Sequence, residues 1–319
     1  MRRIARFAAL VLLLAASGIA AADYPVHPVK TIVSYPPGGT TDLLARLISG
    51  WLQEKLGQPF LVENKPGGGN NIGTEFALHS APDGYTMFLV NPANGINATL
   101  YKNLPFNFVR DLAPVVGLIR VPNVMEVTES FPAKTVAQFI AYCKANPGKI
   151  NMASSGSGTS VHLSGELFKT MTGCDMLHVP YKGAGPALQD LIPGQVHVMF
   201  DNLPSSIGHI KGGKLRALAV TSAQRSSELP DVPTVAETVP GYEATAWFGL
   251  GMPKGSPREA IDKVNATVNA AFSDPAMVKR FADLGGAPMK GSPEEFGKII
   301  AAETEKWAKV VVASGAKAE

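Results

Sequence analysis

Cysteine is scarce in this chain: Cys143 and Cys174 are the only two in 319 residues. They do not form a C-x-x-C pair, which excludes a dithiol redox motif. Charge is thin too. Asp, Glu, Lys and Arg make up 17% of the residues, against roughly 25% in an average chain. Of the 29 basic residues, Arg2, Arg3 and Arg6 fall within the first 22 positions, leaving 26 to face 26 acidic ones. That balance gives no basic surface for nucleic acid. Past the N-terminal stretch, no apolar run reaches the roughly 20 residues of a membrane span. Enzyme signatures are missing as well. There is no H-E-x-x-H, G-x-S-x-G or G-x-x-x-x-G-K-[ST], and the six histidines are scattered at 27, 79, 162, 178, 197 and 209. No cofactor, metal site or catalytic group is therefore expected.

What is present begins with a leader-like layout. Three arginines precede a short apolar run at residues 8–16, and Ala20-Ala21-Ala22 supplies small residues for cleavage. This reads as a secretory signal peptide cut after Ala22, which implies a periplasmic protein starting at Asp23. No cysteine follows the cut, so a lipid anchor is not expected. In an exported chain, Cys143 and Cys174 are expected to form a structural disulfide, with two separate buried thiols as the alternative.

From Asp23 onward, short β-rich runs alternate with helical periodicity. Residues 30–35, 60–63 and 85–91 read as strands, separated by helices at about 43–57 and 71–80. The pattern restarts with a helix at 135–146. Strands at 150–154, 176–179, 196–200 and 215–221 then alternate with helices at 160–172, 186–192 and 203–210. Three helices close the chain, each with proline at or near its start, where the missing N–H is harmless. The series implies an α/β protein of two lobes, each a mostly parallel sheet flanked by helices. The closing helices are expected to return to the first unit. The first domain is then discontinuous (23–123 and 244–319), with the second inserted at 124–243. Two crossings make a hinge with a cleft between the lobes.

Two loops share one construction. The first runs through Tyr35, Pro36, Pro37, Gly38, Gly39, Thr40, Thr41 and Asp42. The second runs through Ser154, Ser155, Gly156, Ser157, Gly158, Thr159 and Ser160. Each leaves a strand and opens a helix. Unpaired N–H groups, a partial positive charge and hydroxyls make such a turn fit for a carboxylate, phosphate or sulfate. Ordinary strand-to-helix turns remain the alternative. Asp42 either caps its helix or meets a ligand, and His162 either donates to a ligand or packs in its lobe. Tyr181, Lys182, Asp201, Asn202 and the Gly67–Asn71 turn are further candidates. Bulky replacement of Gly39 or Gly158 is expected to abolish binding.

Seven segments in order resemble the substrate-binding receptors of tripartite tricarboxylate transporters, the Bug family. They are YPPGGTTDLLARLI from Tyr35, VENKPGGGNNIGTEF from Val62, APDGYTMFLVNPA from Ala81 and LYKNLPFN from Leu100. ANPGKINMASSGSGTSVHLSGELF from Ala145, HVPYKGAGPALQDLIPGQV from His178 and FDNLPSSIGHIKGGKLRALAV from Phe200 complete the set. The resemblance implies a periplasmic binding fold that closes on a small carboxylate. It implies delivery to the permease subunits of an ion-driven transporter, and it sets the ligand's carboxylate between the loops at 37–42 and 154–160. A monomer is expected. A ligand-sensing partner of a signalling system and a secreted enzyme acting on a small acid are the competing readings.

Overall fold

The computed structural model describes residues 23–318, so the leader and its cleavage point lie outside the described residues. Lobe I is built on a parallel trio: β1 (Val29–Val33), β2 (Phe60–Asn64) and β3 (Thr86–Val90), with β1 in the middle. Between them run α1 (Thr40–Leu56) and α2 (Asn71–Leu78). Helix α1 buries Leu44, Ile48, Trp51 and Leu52 along one face, the stripe its apolar spacing predicts. It ends at Gly57, whose left-handed backbone lets its N–H bond Gln53 O.

Helices α3 (Pro92–Leu100) and α4 (Phe108–Asp111) lead into β4, a strand of 17 residues from Leu112 to Thr128. This strand serves both lobes. Its first part, through Pro122, pairs antiparallel with β9 (Thr245–Pro253). From Asn123 onward it pairs with β7 (Val198–Asn202) and β8 (Leu215–Val220). Pro122 stands where the partner changes, a place where a residue without an N–H costs no ladder bond. Lobe II repeats the parallel trio with β5 (Ile150–Ser154) between β6 (Met176–Pro180) and β7. Its helices are α5 (Val136–Ala145), α6 (Ser160–Thr172), α7 (Ala184–Leu191) and α8 (Leu203–Lys211).

The fold is the expected two-lobed α/β architecture. Each parallel trio is present, but the sheet as a whole is mixed, because β4 and β9 run antiparallel to their neighbours. The sequence reading treats both strands as crossings only. Prolines and glycines inside them disguise a strand. Gly249 and Gly251 are there for packing: a Cβ on the first would collide with the Phe296 ring, and one on the second would lie 2.6 Å from Leu112 Cδ1.

Helices α9 (Arg258–Ala271), α10 (Pro275–Asp283) and α11 (Pro293–Ser314) follow β9, with the short β10 (Ala287–Pro288) against β4. Helix α9 joins the lobe I core through Ile261, Val264 and Val268. Helix α11 does more than return to lobe I. Phe296 and Ile300 pack with Ile32, Phe88 and Trp247, whereas Trp307 and Val311 pack with Met125, Phe168 and Tyr242 of lobe II. The last helix therefore braces both lobes.

Cys143 and Cys174 are free and buried in the lobe II core. The expected disulfide is thus not formed. The thiols are neighbours, and burial together with Cys174 pushes Cys143 up to about 12. This is the alternative of two buried thiols. No helix among the described residues is long and apolar enough to cross a membrane.

Candidate functional site

Strand ends of both lobes meet at one small cavity. Its walls are Tyr35, Pro36, Gly39, Thr40, Thr41, Asn91, Pro92 and Phe248 on one side, and Ser155, Thr159, Ser160, Ala184 and Asn202 on the other. None of these side chains is charged. Five helices start here: α1 at Thr40, α3 at Pro92, α6 at Ser160, α7 at Ala184 and α8 just after Asn202. Each start carries roughly half a positive charge from its unpaired N–H groups. The field at the cavity is therefore positive without a lysine or arginine, and it suits an anion that accepts hydrogen bonds. The cavity measures about 20 Å³, room for one small group.

Loop 1 is held by charge. The Asp42 carboxylate is buried and turned towards Arg46, at 3.0 Å from Nε and 2.9 Å from Nη2. It also accepts from Asn64 Nδ2 at 2.9 Å and from the Gly38 N–H at 3.1 Å. Burial works against its charge, yet the bonds from Arg46, Asn64 and Gly38 outweigh burial and hold its pKa below the usual range. Asp42 therefore anchors loop 1 and does not line the cavity. Gly39 caps α1 without any side-chain bond, at φ −88°, so the first amides of that helix stay uncapped.

Loop 2 is held by neutral groups. Thr159 accepts from the His162 N–H at 3.2 Å and donates to Gly156 O at 2.7 Å. The Gly158 N–H donates to His162 Nδ1 at 3.2 Å. Ser154 Oγ meets His178 Nε2 at 2.6 Å and accepts from the Gly156 N–H at 3.2 Å. The two imidazoles stack at 3.9 Å between ring centroids. Burial first, then His178 and Lys169, push His162 down to about 3; burial and Lys169 push His178 to about 4. Both rings are thus uncharged at neutral pH. Gly158, at φ +83°, lies against the facing lobe: a Cβ there would collide with Asn97 Oδ1 and sit 2.8 Å from Leu100 Cδ2.

Of the sequence candidates, Gly39, Thr40, Thr41, Ser155, Thr159, Ser160 and Asn202 come together at the cavity. Pro37 and Gly38 are exposed on loop 1. Ser154, Gly158 and His162 form the frame beneath loop 2, and Gly156 and Tyr181 line a second, outer cavity. The Tyr181 hydroxyl donates to Asp190 at 2.7 Å. Asp201 lies below the cavity floor. It accepts from Ser205 at 2.5 Å and from Ser206 at 2.9 Å, and Ser205 in turn accepts from Thr40 across the lobes at 3.2 Å. Burial pushes Asp201 up to about 6, and burial and the neighbouring Asp201 raise Glu126 well above its usual range.

Several wall residues escaped the sequence reading. Asn91 follows β3 and caps α3, a helix the reading left out. Its Nδ2 approaches Tyr35 but lacks a well-aligned acceptor. Phe248 comes from the disguised strand β9. Ala184 and Ser205 carried no chemical signal. The pattern that would have found most of them is a strand end followed at once by a helix start.

Comparison with known proteins agrees with this geometry. R. palustris Rpa4515, solved with adipate, superposes with a TM-score of 0.91 at 39% identity, covering 93% of this chain and 100% of that one. MatC from Rhodopseudomonas palustris with bound malate gives a TM-score of 0.86 at 32% identity, covering 90% and 100%. Protein BugT of Bordetella pertussis is 39% identical over 317 residues, 97% of each chain. The periplasmic binding protein BugD gives a TM-score of 0.88 at 32% identity, covering 93% of this chain and 100% of that one. The model of the tripartite tricarboxylate transporter family receptor matches residues 44–316, and the chain belongs to that family.

Proposed function

We propose that this receptor takes a small organic acid between loops 1 and 2 and, once closed, presents it to the permease subunits of a tripartite transporter. The observation that carries the reading is the cavity wall: two lobes, five helix starts and no charged side chain. A buried carboxylate needs its acceptor sites filled. Each bond to it is worth about 1.5–3 kcal/mol, so a few, less the cost of ordering, give a Kd on the order of a micromolar. The relatives solved with adipate and malate support a carboxylate.

The same reading includes a leader removed after Ala22 and a monomer in the periplasm. It divides the lobes at 123/124 and 243/244. The change of partner along β4 supports that division; α11, which packs in both cores, is its exception. Calorimetry with a panel of mono- and dicarboxylates tests the function. Micromolar binding, with the acid recovered chemically unaltered, is expected. No binding of any acid, or conversion of the acid, overturns it. N-terminal sequencing of exported protein should begin at Asp23.

A further inference from the structure

Beneath the cavity floor two carboxyl groups lie together without a cation. Asp201 of β7 pairs with Val124 of β4, and Glu126 of β4 pairs with Met199 of β7. The antiparallel register therefore sets both side chains on one face of the sheet, as diagonal neighbours. Glu126 is 0% and Asp201 1% exposed, and no lysine, arginine or histidine is paired with either among the described residues. Charged groups on the elements packed around them have other partners. Asp42 and Arg46 of α1 hold each other, and Asp190 of α7 takes the Tyr181 hydroxyl. Lys211 of α8 pairs with Glu228, and Arg216 of β8 with Glu129. The His209 side chain of α8 bonds neither carboxyl.

Counting hydrogens places one proton on the pair. Ser206 carries a single hydroxyl hydrogen, yet its Oγ lies 2.7 Å from Glu126 Oε1 and 2.9 Å from Asp201 Oδ2. One of these contacts must use a carboxyl proton. Glu126 holds it: its O–H donates to Ser206, and Ser206 donates to Asp201. The bare Glu126 Oε2 agrees, because a buried carboxylate needs donors at both oxygens. Asp201 keeps the charge, and its Oδ2 also accepts from Ser205, which accepts in turn from Thr40 of lobe I at 3.2 Å. Thr40 and Asn202, the next residue along from Asp201, both line the cavity.

We propose that capture of the anion is coupled to uptake of a proton by the Glu126–Asp201 pair, so that the receptor carries an acid anion and a proton together. The proposal rests on the reading of the inner cavity as an anion seat. Buried like charges are poorly screened, so an anion above the floor disfavours the Asp201 carboxylate and draws a proton onto it. Ser205 can then turn its hydrogen to Asn202 O at 2.8 Å. Burial already pushes Asp201 up to about 6, which brings the uptake close to neutral pH. His162 and His178, at about 3 and about 4, stay uncharged throughout that range. Where the free receptor holds Asp201 ionised, the anion must bring a proton with it, so affinity declines as pH rises.

The test is calorimetry on wild type, Asp201→Asn and Glu126→Gln between pH 6 and 8, in buffers of different ionisation heat. The probe is whichever mono- or dicarboxylate of the panel above binds wild type most tightly. Wild type should take up about half a proton or more at pH 7, and its Kd should weaken about fivefold or more from pH 6 to pH 8. Asp201→Asn should take up none and show a flat profile. Glu126→Gln should keep the uptake, because its amide donates to Ser206 as the neutral acid does. Infrared difference spectra of wild type, with the probe carbon-13 labelled at its carboxylates, should gain a protonated-carboxyl band of the protein on binding, a readout that needs no variant. Heats that do not depend on buffer, affinity that rises with pH, uptake undiminished in Asp201→Asn, or no new carboxyl band overturns the coupling and leaves the inner site standing. Binding of no acid at all overturns the inner reading, and this one with it.

Discussion

Loop 1 and loop 2 do the same job with different chemistry. Both present a helix start to one cavity, α1 without a side-chain cap and α6 with Thr159 capping the His162 N–H. Loop 1 is tied back by a buried carboxylate that gathers Arg46, Asn64 and the Gly38 amide. Loop 2 is tied by hydroxyls and two neutral imidazoles. Neither places a formal charge at the cavity wall. The helix starts are common to both loops, whereas the scaffold behind them is ionic in one and neutral in the other. The loops also differ in room. Gly158 is pressed against Asn97 and Leu100 of the opposite lobe, but a Cβ on Gly39 would find Ala184 Cβ at 3.5 Å, an ordinary contact.

The largest effect should come from Gly158→Val. Its Cβ meets side chains across the cleft at a φ that β-branched residues avoid. Closure is blocked, and affinity should fall by about 100-fold or more, about 2.7 kcal/mol, in calorimetry, with a circular dichroism spectrum like that of wild type.

Asp42→Asn comes next. It strips charge from the anchor of loop 1 while leaving the cavity wall intact. Hydrogen bonds to a charged group contribute about 1.5–3 kcal/mol, and the low end applies because Arg46 is half exposed. A roughly tenfold weaker Kd is expected, together with a lower melting temperature. An unchanged Kd would mean that loop 1 holds its shape without the ion pair.

The two scaffolds should also separate by pH. A histidine whose pKa is depressed in the folded state binds its proton more readily when unfolded, so stability falls as pH drops. For His162 and His178 that loss runs from about 6.5, the ordinary value, down to about 3 and about 4 respectively. Asp42, with its pKa lowered from 3.8, keeps its contribution throughout that window and loses it only at more acid pH. Denaturant melts between pH 7 and 4 should show declining stability in wild type and a shallower decline in His178→Gln. An equal slope in both would remove His178 from the account.

The smallest effect is expected from Gly39→Ala. The backbone there is ordinary and the added Cβ would make only van der Waals contact with Ala184, so affinity should change less than about threefold, well under 1 kcal/mol. The sequence reading expects loss only from a bulky replacement at Gly39 or Gly158, and the contacts rank Gly158 as the more sensitive of the two. A large loss in Gly39→Ala would restore their equivalence.

Much of this protein follows from its residues alone. Helical spacing in Leu44, Ile48, Trp51 and Leu52, short β-branched runs and glycine-rich turns determine the two α/β halves and the two loops at their strand ends. These are local effects of propensity and periodicity. Only the tertiary structure decided which loop residues line the cavity. For Asp42 and His162 the sequence leaves a ligand role and a structural role open, because their direction depends on partners 22 and 16 residues away: Asn64 for the carboxylate, and the stacked His178 for the imidazole. Asn91, Ala184 and Phe248 reach the cavity only because separate helices and a disguised strand converge there. Long strands β4 and β9 were hidden for the same reason. Their prolines and glycines are tolerated at a change of partner and beneath Phe296, and neither condition exists until the lobes are packed.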